Sequence, residues 1–332
     1  MPKLTAVRGV VRSNRSSSLA TPATLAGRDL LTVGDLSVAE AHGLLNLAQE
    51  VKRKPARFSR ALAGRGLALL FEKPSLRTRV TFQLAIEQLG GRGLDLGPQE
   101  IGLGTREAVG DVARNLERWF NAIVIRSFAH DTVCALADNA AIPVINGLSD
   151  RYHPCQALGD YLTLHEHKTG LEGLRVAFVG DGNNVCHSLA LAAAKLGVTL
   201  GIATPPGYEP AADVLHQARA EAAATGAPIL LVHDPREAVR GADAVYTDVW
   251  TSMGQEAERE QRRQLFLPYQ VNAKLFAEAK PDAVFLHCLP ARRGEEVTDE
   301  VMDSPRSIIY DQAENRLHIQ KAILLALLGE AR

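Results

Sequence analysis

Short apolar runs alternate with longer segments of helical period along most of the chain. The runs predict strands at 66–71, 93–96, 121–126 and 143–146, and then at 174–180, 198–203, 229–232, 243–247, 283–286 and 306–309. Apolar residues three and four apart predict helices near 76–89, 107–119, 131–140, 154–168, 184–196, 209–224, 271–279 and 313–328. Ser37, followed by Glu40, predicts a capped first helix. The alternation predicts an α/β fold of parallel sheets covered by helices.

The long helical segment at 154–168 is the expected connection between two α/β halves. A chain of 332 residues with 46% hydrophobic and 23% charged residues is typical of a soluble protein of two domains. The net charge of −1, with no long basic block after residue 30, argues against nucleic acid or an anionic membrane as partner. No apolar run approaches the roughly 20 residues that a membrane-spanning helix needs.

Four cysteines occur without a Cys-x-x-Cys pair, which indicates a reducing compartment and argues against zinc or a disulfide framework. Residues 1–28 contain basic residues and no acidic residue. That composition suits an organellar transit peptide, or else a disordered basic tail or an upstream start codon. No amphipathic pattern is evident there, so we favour the tail or the upstream start codon over a transit peptide, and a cytoplasmic protein over an organellar one.

The segment from Phe71 to Arg79 predicts an anion-binding site. It follows an apolar strand and opens a helix, with Ser75 at the expected N-cap. Arg77, Arg79 and the Thr78 hydroxyl lie in the first turn, where free backbone N–H groups also point outward. The alternative is an ordinary capped helix. Cations in a first turn oppose the helix dipole, however, so an anion such as phosphate is the better explanation.

Polar residues also follow other predicted strands, and ligands of parallel sheets bind beyond these strand ends. Arg126 ends one strand, and a histidine, His153, precedes a helix whose first position suits Pro154. A histidine placed there can donate to a carbonyl oxygen, and Gln156 can hold an amide NH2 group.

The stretch Gly180-x-Gly182 after a strand suggests a dinucleotide site, but two features argue against a nicotinamide cofactor. Val185 replaces the third glycine, and the next strand ends at Thr204 without a carboxylate for a ribose. The neighbouring Asn183 and Asn184 better suit hydrogen bonds to a small polar molecule.

Two further strand ends carry candidate contacts for such a molecule. Asp248 can pair with an ammonium group, and Ser252-Met253-Gly254 can form a tight turn. Cys288 follows His287, which points to the other face of the strand and cannot activate it. We therefore interpret Cys288 as a polar contact rather than a nucleophile. Asn315-Arg316 lies at the start of the last predicted helix.

In order and spacing, these motifs resemble the aspartate/ornithine carbamoyltransferase family from about residue 29 to 330. The Ser75-x-Arg77-Thr78-Arg79 and His153-Pro154-x-Gln156 motifs are shared across the family. The loop from Asp248 to Gly254, with His287-Cys288-Leu289-Pro290, is similar to the ornithine branch.

The resemblance implies a role for each matching residue. Those expected to bind the phosphate of carbamoyl phosphate are Ser75, Leu76 through its backbone N–H, Arg77 and Thr78. Leu76 replaces a threonine of many relatives, so a hydroxyl contact is lost there. Those expected to hold the carbamoyl group are Arg126, which also reaches the phosphate, His153 and Gln156. Those expected to bind the α-groups of L-ornithine are Asn184, Asp248, Ser252 and Met253. Those expected to complete the pocket between the domains are Cys288, Leu289 and Arg316.

The resemblance also implies a division of the chain and an assembly. Residues 29–152 with about 313–332 are expected to bind carbamoyl phosphate, the last helix packing back on this domain, and residues 153–312 to bind ornithine. A homotrimer or a multiple of trimers is expected, with no metal and no cofactor. Three alternatives are left by the sequence. The reaction runs in the opposite direction, the amine acceptor is putrescine, N-acetylornithine or aspartate, or the protein is a non-catalytic homologue.

Overall fold

Two parallel sheets form the frame of the molecule. The computed structural model describes residues 25–252, 254 and 256–329. The first sheet, in the order β2-β1-β3-β4, consists of β1 (Gly66–Phe71), β2 (Arg92–Leu96), β3 (Ala122–Arg126) and β4 (Val144–Leu148). The second, in the order β7-β6-β5-β8-β9, consists of β5 (Arg175–Val179), β6 (Thr199–Ala203), β7 (Ile229–Val232), β8 (Ala244–Thr247) and β9 (Val284–His287). The prediction of parallel sheets is confirmed.

Fourteen α-helices connect and cover these strands in the described part of the chain. They are α1 (Val38–Arg53), α2 (Pro55–Phe58), α3 (Arg77–Gln88), α4 (Pro98–Ile101), α5 (Val109–Leu116), α6 (His130–Asn139), α7 (Pro154–His167), α8 (Asn184–Leu196), α9 (Ala212–Ala222), α10 (Pro235–Val239), α11 (Arg259–Phe266), α12 (Ala273–Phe276), α13 (Asp299–Met302) and α14 (Ile309–Leu328). Short 3-10 turns lie at Val33–Asp35, Glu256–Glu258 and Leu267–Tyr269. Across residues 25–252, 254 and 256–329, none of the helices has the length and apolar character needed to cross a membrane.

The inner strands of each sheet are buried on both faces, as expected where helices cover both sides, whereas the edge strands β2 and β7 are partly exposed. In β1, Leu67 and Leu69 join a central core that continues through α7, α8 and α14 into the second sheet. Ala68 and Leu70 of the same strand point into a separate core on the outer face. A third core covers the outer face of the second sheet.

The last helix closes back on the first domain, as expected. It packs against α1, α3 and α7, and its inner face, including Ile319 and Ile323, is buried in the central core. This helix begins at Ile309, four residues before the predicted start. The strand predicted at 306–309 is wrong, because only Ser307 forms an isolated bridge, to Phe285, before the helix begins. A short apolar run does not by itself distinguish a buried strand from the start of a buried helix.

The N-terminal end of the described chain is already folded. Leu25 is buried, and the Gly27 N–H donates to the Leu327 carbonyl at 3.0 Å. The folded part therefore begins at least four residues before the predicted Asp29, and the rest of the predicted tail, residues 1–24, lies outside the described residues. The predicted cap of α1 is confirmed, because Ser37 and Glu40 exchange side-chain to backbone hydrogen bonds in a capping box.

Candidate active site

The turn between β1 and α3 lies at the carboxyl edge of the first sheet. The helix begins at Arg77 with Leu76 in the N-cap position, and no side chain caps it. The expectation that Ser75 caps α3 is therefore wrong by one residue. Ser75 is half-buried in the turn, whereas the Leu76 side chain is 73% exposed. Among the described residues, no side chain caps these first-turn N–H groups, which is the arrangement of a helix end that binds an anion.

The two arginines of this turn point in different directions. Arg79 forms an ion pair with Asp95 at 3.2 Å, and its guanidinium lies 5.1 Å from the centre of the Phe71 ring. The expectation that Arg79 adds a second guanidinium to the anion site is therefore wrong. Burial lowers the pKa of the Arg77 guanidinium, and the carboxylate of Asp248 in the second half of the chain opposes that shift. Arg77 therefore faces the second domain.

Three guanidiniums converge at the cleft: those of Arg77, Arg126 and Arg316. Burial, with repulsion from Arg316 and Arg77, lowers the pKa of Arg126 to about 10. The Nε atoms of Arg126 and Arg316 are buried and have no hydrogen-bond partner in the described part of the chain. Buried donors without acceptors are costly, and like charges repel, so both features indicate a site built for an anion.

His153 is the neutral donor of the site. It directly precedes Pro154, which opens α7 as predicted, and its backbone N–H donates to the Ser188 hydroxyl at 2.7 Å. Burial holds the pKa of His153 well below its usual value, and the charges of Arg316 and Arg126 act in the same direction. Its Nδ1 atom is buried and, among the described residues, has no partner. A neutral imidazole in this position can donate one hydrogen bond to a substrate oxygen.

The last helix completes the first half of the site. Arg316 lies in the third helical turn counted from Ile309, not at the helix start, and is 2% exposed. Its guanidinium donates to the Thr78 hydroxyl oxygen at 2.9 Å and, through a short hydrogen bond, to Gln156 Oε1. Because Thr78 accepts this bond, its own hydroxyl proton remains available to a ligand.

The second half of the site lies at the ends of β5, β8 and β9. Asp248, directly after β8, accepts from Asn183 Nδ2 at 2.8 Å and from the Cys288 thiol at 3.0 Å. Asn183 also caps α8 by accepting the N–H groups of Val185 and Cys186. The strand order changes direction between β5 and β8, and this crevice is where open parallel sheets bind ligands.

The other residues predicted to contact the substrate differ in their hydrogen bonds and in their exposure. Asn184 donates to the Ser149 carbonyl at 2.6 Å, which links the two halves. Ser252 and Leu289 are half-buried, and Met253 lies outside the described residues. Leu289 has a positive φ of 59°, and its N–H donates to His287 Nδ1 at 2.9 Å. A left-handed backbone at a branched residue is strained, as is common at ligand-binding sites.

Cys288 has the properties of a protonated thiol. Burial and the neighbouring carboxylate of Asp248 raise its pKa well above the usual value, which disfavours a nucleophile, as the sequence predicts. Ligand atoms of Asp248, His287 and Cys288 lie within 4.8 Å of one another, so the expectation that His287 points away from Cys288 is wrong. Both ring nitrogens of His287 are already hydrogen-bonded, to Glu296 and to the Leu289 N–H, so this group is a hydrogen-bonded cluster rather than a prepared metal site.

The Gly180-x-Gly182 stretch has a packing explanation. Gly180 has a positive φ of 145°, and a Cβ on Gly182 would lie 2.3 Å from the Pro210 nitrogen. Gly182 also donates to the Tyr208 carbonyl at 2.9 Å. The second glycine therefore admits the close approach of the loop after β6, which accounts for its presence without a dinucleotide.

Several buried charged residues near the site were missed in the sequence. Asp181 pairs with Arg262 at 3.0 Å, and the Lys73 ammonium lies 4.4 Å from the centre of the Phe128 ring. Asp160 is completely buried and accepts from Gln156 at 2.8 Å. The sequence could have identified Asp160 by its position four residues after Gln156, which places both side chains on the same face of a mostly apolar helix.

The fold and this cleft place the chain in a class of two-domain α/β transferases. The family model for the carbamoyl-P binding domain of aspartate/ornithine carbamoyltransferases matches residues 28–166, and that for their Asp/Orn binding domain matches residues 172–327. The chain belongs to this family.

The relatives lie in the ornithine branch. The anabolic ornithine carbamoyltransferase of Pyrococcus furiosus is 52% identical over 308 residues, 92% of this chain and 98% of the relative. That of Bacillus subtilis is 51% identical over 308 residues, covering 93% of this chain and 96% of the relative. A solved structure of the Pyrococcus furiosus enzyme superposes with a TM-score of 0.90 at 51% identity, covering 93% of this chain and 99% of that one.

Proposed function

We propose that this protein transfers the carbamoyl group of carbamoyl phosphate to the δ-amine of L-ornithine, producing L-citrulline and phosphate. The main observation behind the proposal is that a cationic group and an anionic group face each other across the cleft. The guanidiniums of Arg77, Arg126 and Arg316 stand on one side of the cleft, and the carboxylate of Asp248 stands on the other. The first group suits a phosphorylated carbonyl compound, and the second suits an ammonium group. The ornithine carbamoyltransferases compared above support this pair of substrates.

On the carbamoyl phosphate side, the phosphate binds the turn before α3. Ser75, the Leu76 N–H, Arg77 and Thr78 hold its oxygens, while Arg126 reaches both the phosphate and the carbonyl oxygen. His153 donates to the carbonyl, and Gln156 Oε1 accepts from the carbamoyl NH2. Two buried atoms support these roles, Nε of Arg126 and Nδ1 of His153. Neither has a hydrogen-bond partner among the described residues, so each can bond to the substrate.

On the ornithine side, Asp248 receives the α-ammonium group. Asn184, Ser252 and Met253 complete the contacts to the α-amino and α-carboxylate groups, while Cys288, Leu289 and Arg316 close the pocket between the domains. Asp248 is 7% exposed, so an ion pair formed with its carboxylate is shielded from solvent. The direct contact between Asp248 and the Cys288 thiol supports the placement of both in one pocket.

The reaction requires the neutral δ-amine of ornithine. A free amine of this kind has a pKa of about 10.4, so the site must favour its deprotonated form. The cluster of Arg77, Arg126 and Arg316 does so, because a further cation beside these guanidiniums is electrostatically disfavoured. The amine nitrogen then attacks the carbamoyl carbon.

The bond from nitrogen to the carbamoyl carbon forms first and gives a tetrahedral intermediate, and the bond from carbon to the phosphate oxygen breaks when this intermediate collapses. Arg126, His153 and Thr78 stabilise the oxyanion of the tetrahedral intermediate, and one such donor is typically worth about 3 kcal/mol. The leaving phosphate accepts the proton of the amine, directly or through water. The atoms balance without a cofactor or a covalent enzyme intermediate.

The proposed direction is citrulline synthesis, as in arginine biosynthesis. The anabolic relative from Pyrococcus furiosus supports it, while catabolic use in reverse and a different amine acceptor stay open alternatives. We place the protein in the cytoplasm, which the four free cysteines support. We place the domain boundaries at residues 152 and 313; the family model for the carbamoyl-P binding domain, which ends at residue 166, includes nearly all of α7.

A homotrimer, or a multiple of trimers, is the proposed assembly. Leu76, Val80 and Leu84 lie four residues apart along the start of α3 and are 73%, 44% and 39% exposed. A run of exposed apolar side chains on one face of a helix beside an active site indicates a surface that association covers.

The experiment that tests the function is citrulline formation from carbamoyl phosphate. Ornithine, putrescine, N-acetylornithine and aspartate are offered as acceptors in parallel. Carbamoylation of ornithine alone is the expected result. Carbamoylation of another acceptor would overturn the ornithine side while leaving the carbamoyl phosphate side in place. A folded protein that is inactive with all four acceptors would contradict the proposal and favour a non-catalytic homologue.

A further inference from the structure

Asp160 is a buried carboxylate at the junction of the two halves of the site. It is completely buried on α7, in a stretch where an apolar side chain would pack without any cost of desolvation. Its Oδ1 accepts from Gln156 Nε2 at 2.8 Å and from Gln312 Nε2 at 2.7 Å, and its Oδ2 accepts from the Tyr246 hydroxyl at 3.0 Å. Three donors on three different elements therefore meet at one carboxylate.

The hydrogen-bond chemistry of its neighbours fixes the orientation of the Gln156 carboxamide. An ionised carboxylate only accepts, so the end of Gln156 that faces Asp160 is the NH2 group. A guanidinium only donates, so the end that faces Arg316 is the oxygen. The two partners lie on opposite sides of the amide and select the same orientation.

The same argument applies to Gln312 on α14. Its NH2 group faces Asp160, and its Oε1 accepts the backbone N–H of His287 at 2.9 Å. His287 directly precedes Cys288 in the second half of the site. A continuous chain of hydrogen bonds thus runs from Gln156 through Asp160 and Gln312 to the end of β9.

We propose that Asp160 is a positioning residue that holds the Gln156 carboxamide with Oε1 facing the substrate, and that Gln312 ties this orientation to the strand end carrying Cys288. The proposal rests on the proposed function, since Gln156 Oε1 is the acceptor for the carbamoyl NH2 group. Without the carboxylate, Arg316 alone holds the carboxamide in this orientation. A carboxamide that turned over would present its NH2 group to both Arg316 and the substrate NH2. Donor would face donor at each contact.

The test is a double-mutant cycle of Asp160→Ala and Gln156→Ala, measured as kcat/KM for carbamoyl phosphate at saturating ornithine. We expect Asp160→Ala to lower kcat/KM by about 10²-fold, the usual effect of misplacing a substrate-positioning group. In the Gln156→Ala background the same substitution should have no further effect, because the group through which it acts is gone. Asp160→Asn should recover most of the activity. Its oxygen can accept from both glutamines, and its NH2 can donate to the Tyr246 hydroxyl oxygen.

The matched control is Thr163→Val on the same helix. Thr163 is also completely buried and hydrogen-bonds to α14, through Asn315 Nδ2 at 3.0 Å. This variant should lower the melting temperature without changing kcat/KM. If Asp160→Ala does not fold, the cycle is run with Asp160→Leu or, failing that, with Gln312→Leu, which removes the second link of the same chain.

Two results would overturn the proposal. In the first, the wild type is active and the losses of kcat/KM caused by the Asp160 and Gln156 substitutions multiply in the double mutant. In the second, the Asp160 variant, like Thr163→Val, has a lowered melting temperature and an unchanged kcat/KM. Both leave the proposed function intact. A wild type that forms no citrulline overturns the proposed function and this inference together.

Discussion

Arg262 and Asp181 form a buried ion pair next to the ornithine side of the cleft. Arg262 donates to Asp181 Oδ2 at 3.0 Å and to the Trp250 carbonyl at 2.9 Å, and the two charged side chains are 7% and 11% exposed. Arg262 lies on α11, and Asp181 directly follows Gly180 at the end of β5. The pair therefore holds the segment that begins at Trp250 and contains Ser252 against the strand end.

We expect Arg262→Met to weaken ornithine binding while leaving carbamoyl phosphate binding unchanged. The substitution leaves Asp181 as a buried charge without its partner, and breaking such a pair costs about 3 kcal/mol of stability. A raised ornithine KM with a lowered melting temperature is the expected pair of observations. The control is Arg263→Met, which removes the adjacent, exposed arginine. Equal ornithine KM values for the two variants would show that the ion pair does not position the loop.

The ion pair also predicts a pH dependence. Burial raises the pKa of Asp181 to about 6 against the opposing effect of Arg262, and the carboxylates of Asp248 and Glu258 also face it. The charged carboxylate is present above that pH and is lost as the pH falls through about 6. We expect the ratio of ornithine KM between Asp181→Asn and wild type to be largest near neutral pH and to approach one in more acidic solution. A ratio that is independent of pH would contradict this.

Arg77→Ala should abolish turnover mainly through loss of carbamoyl phosphate binding. Charged hydrogen bonds are worth up to about 3 kcal/mol, or roughly two orders of magnitude in Kd. Binding is measured by calorimetry in the absence of ornithine. Arg79→Ala is the matched control, because Arg79 has the same charge two residues away but pairs with Asp95 outside the site. Unchanged affinity in Arg77→Ala would refute the phosphate assignment.

Asp248→Ala should raise the ornithine KM and leave the Kd of carbamoyl phosphate unaltered. The substitution removes the carboxylate that faces the α-ammonium group, and we expect a rise of about 10- to 100-fold. Asp243→Ala, near the opposite end of β8, serves as control, since Asp243 pairs with Lys280 at 2.7 Å away from the cleft. Loss of carbamoyl phosphate binding instead would mean that the assignment of the second half is wrong.

Leu84→Glu should dissociate the proposed trimer. A charge on the exposed apolar face of α3 would be buried without a partner in the assembly, which is unfavourable. Light scattering coupled to size exclusion reports the mass of the particle. Leu265→Glu on α11, with a similar exposure of 43%, is the control and should keep the wild-type mass. A wild-type mass for Leu84→Glu would place the subunit contact elsewhere.

Much of the fold follows from local patterns in the sequence. The apolar runs at 66–71 and 229–232 and the helical period at 184–196 match β1, β7 and α8 to the residue. Five helices shorter than nine residues had no prediction, because a segment of one or two turns does not complete an apolar repeat. They are α2, α4, α10, α11 and α13.

The sequence also predicted the location of the candidate site but not the directions of its side chains. Its residues follow strand ends, and parallel strands bring their carboxyl ends to one edge, so the order of motifs along the chain already indicated where a ligand binds. The direction in which each side chain points could not be predicted from that order. Arg77 and Arg79 look equivalent in sequence, yet one faces the cleft and the other pairs with Asp95.

The alternation of strands and helices follows from sequence alone, because it depends on periodicities of two to four residues, and the residue types that follow each strand are read directly from the chain. Which of these residues meet depends on how distant elements pack. Thr78 and Arg316 are 238 positions apart and are joined because α14 packs on α3. The partners of Asp160 and Asp181 were fixed in the same way, since a buried charge is tolerated only where distant elements bring donors to it.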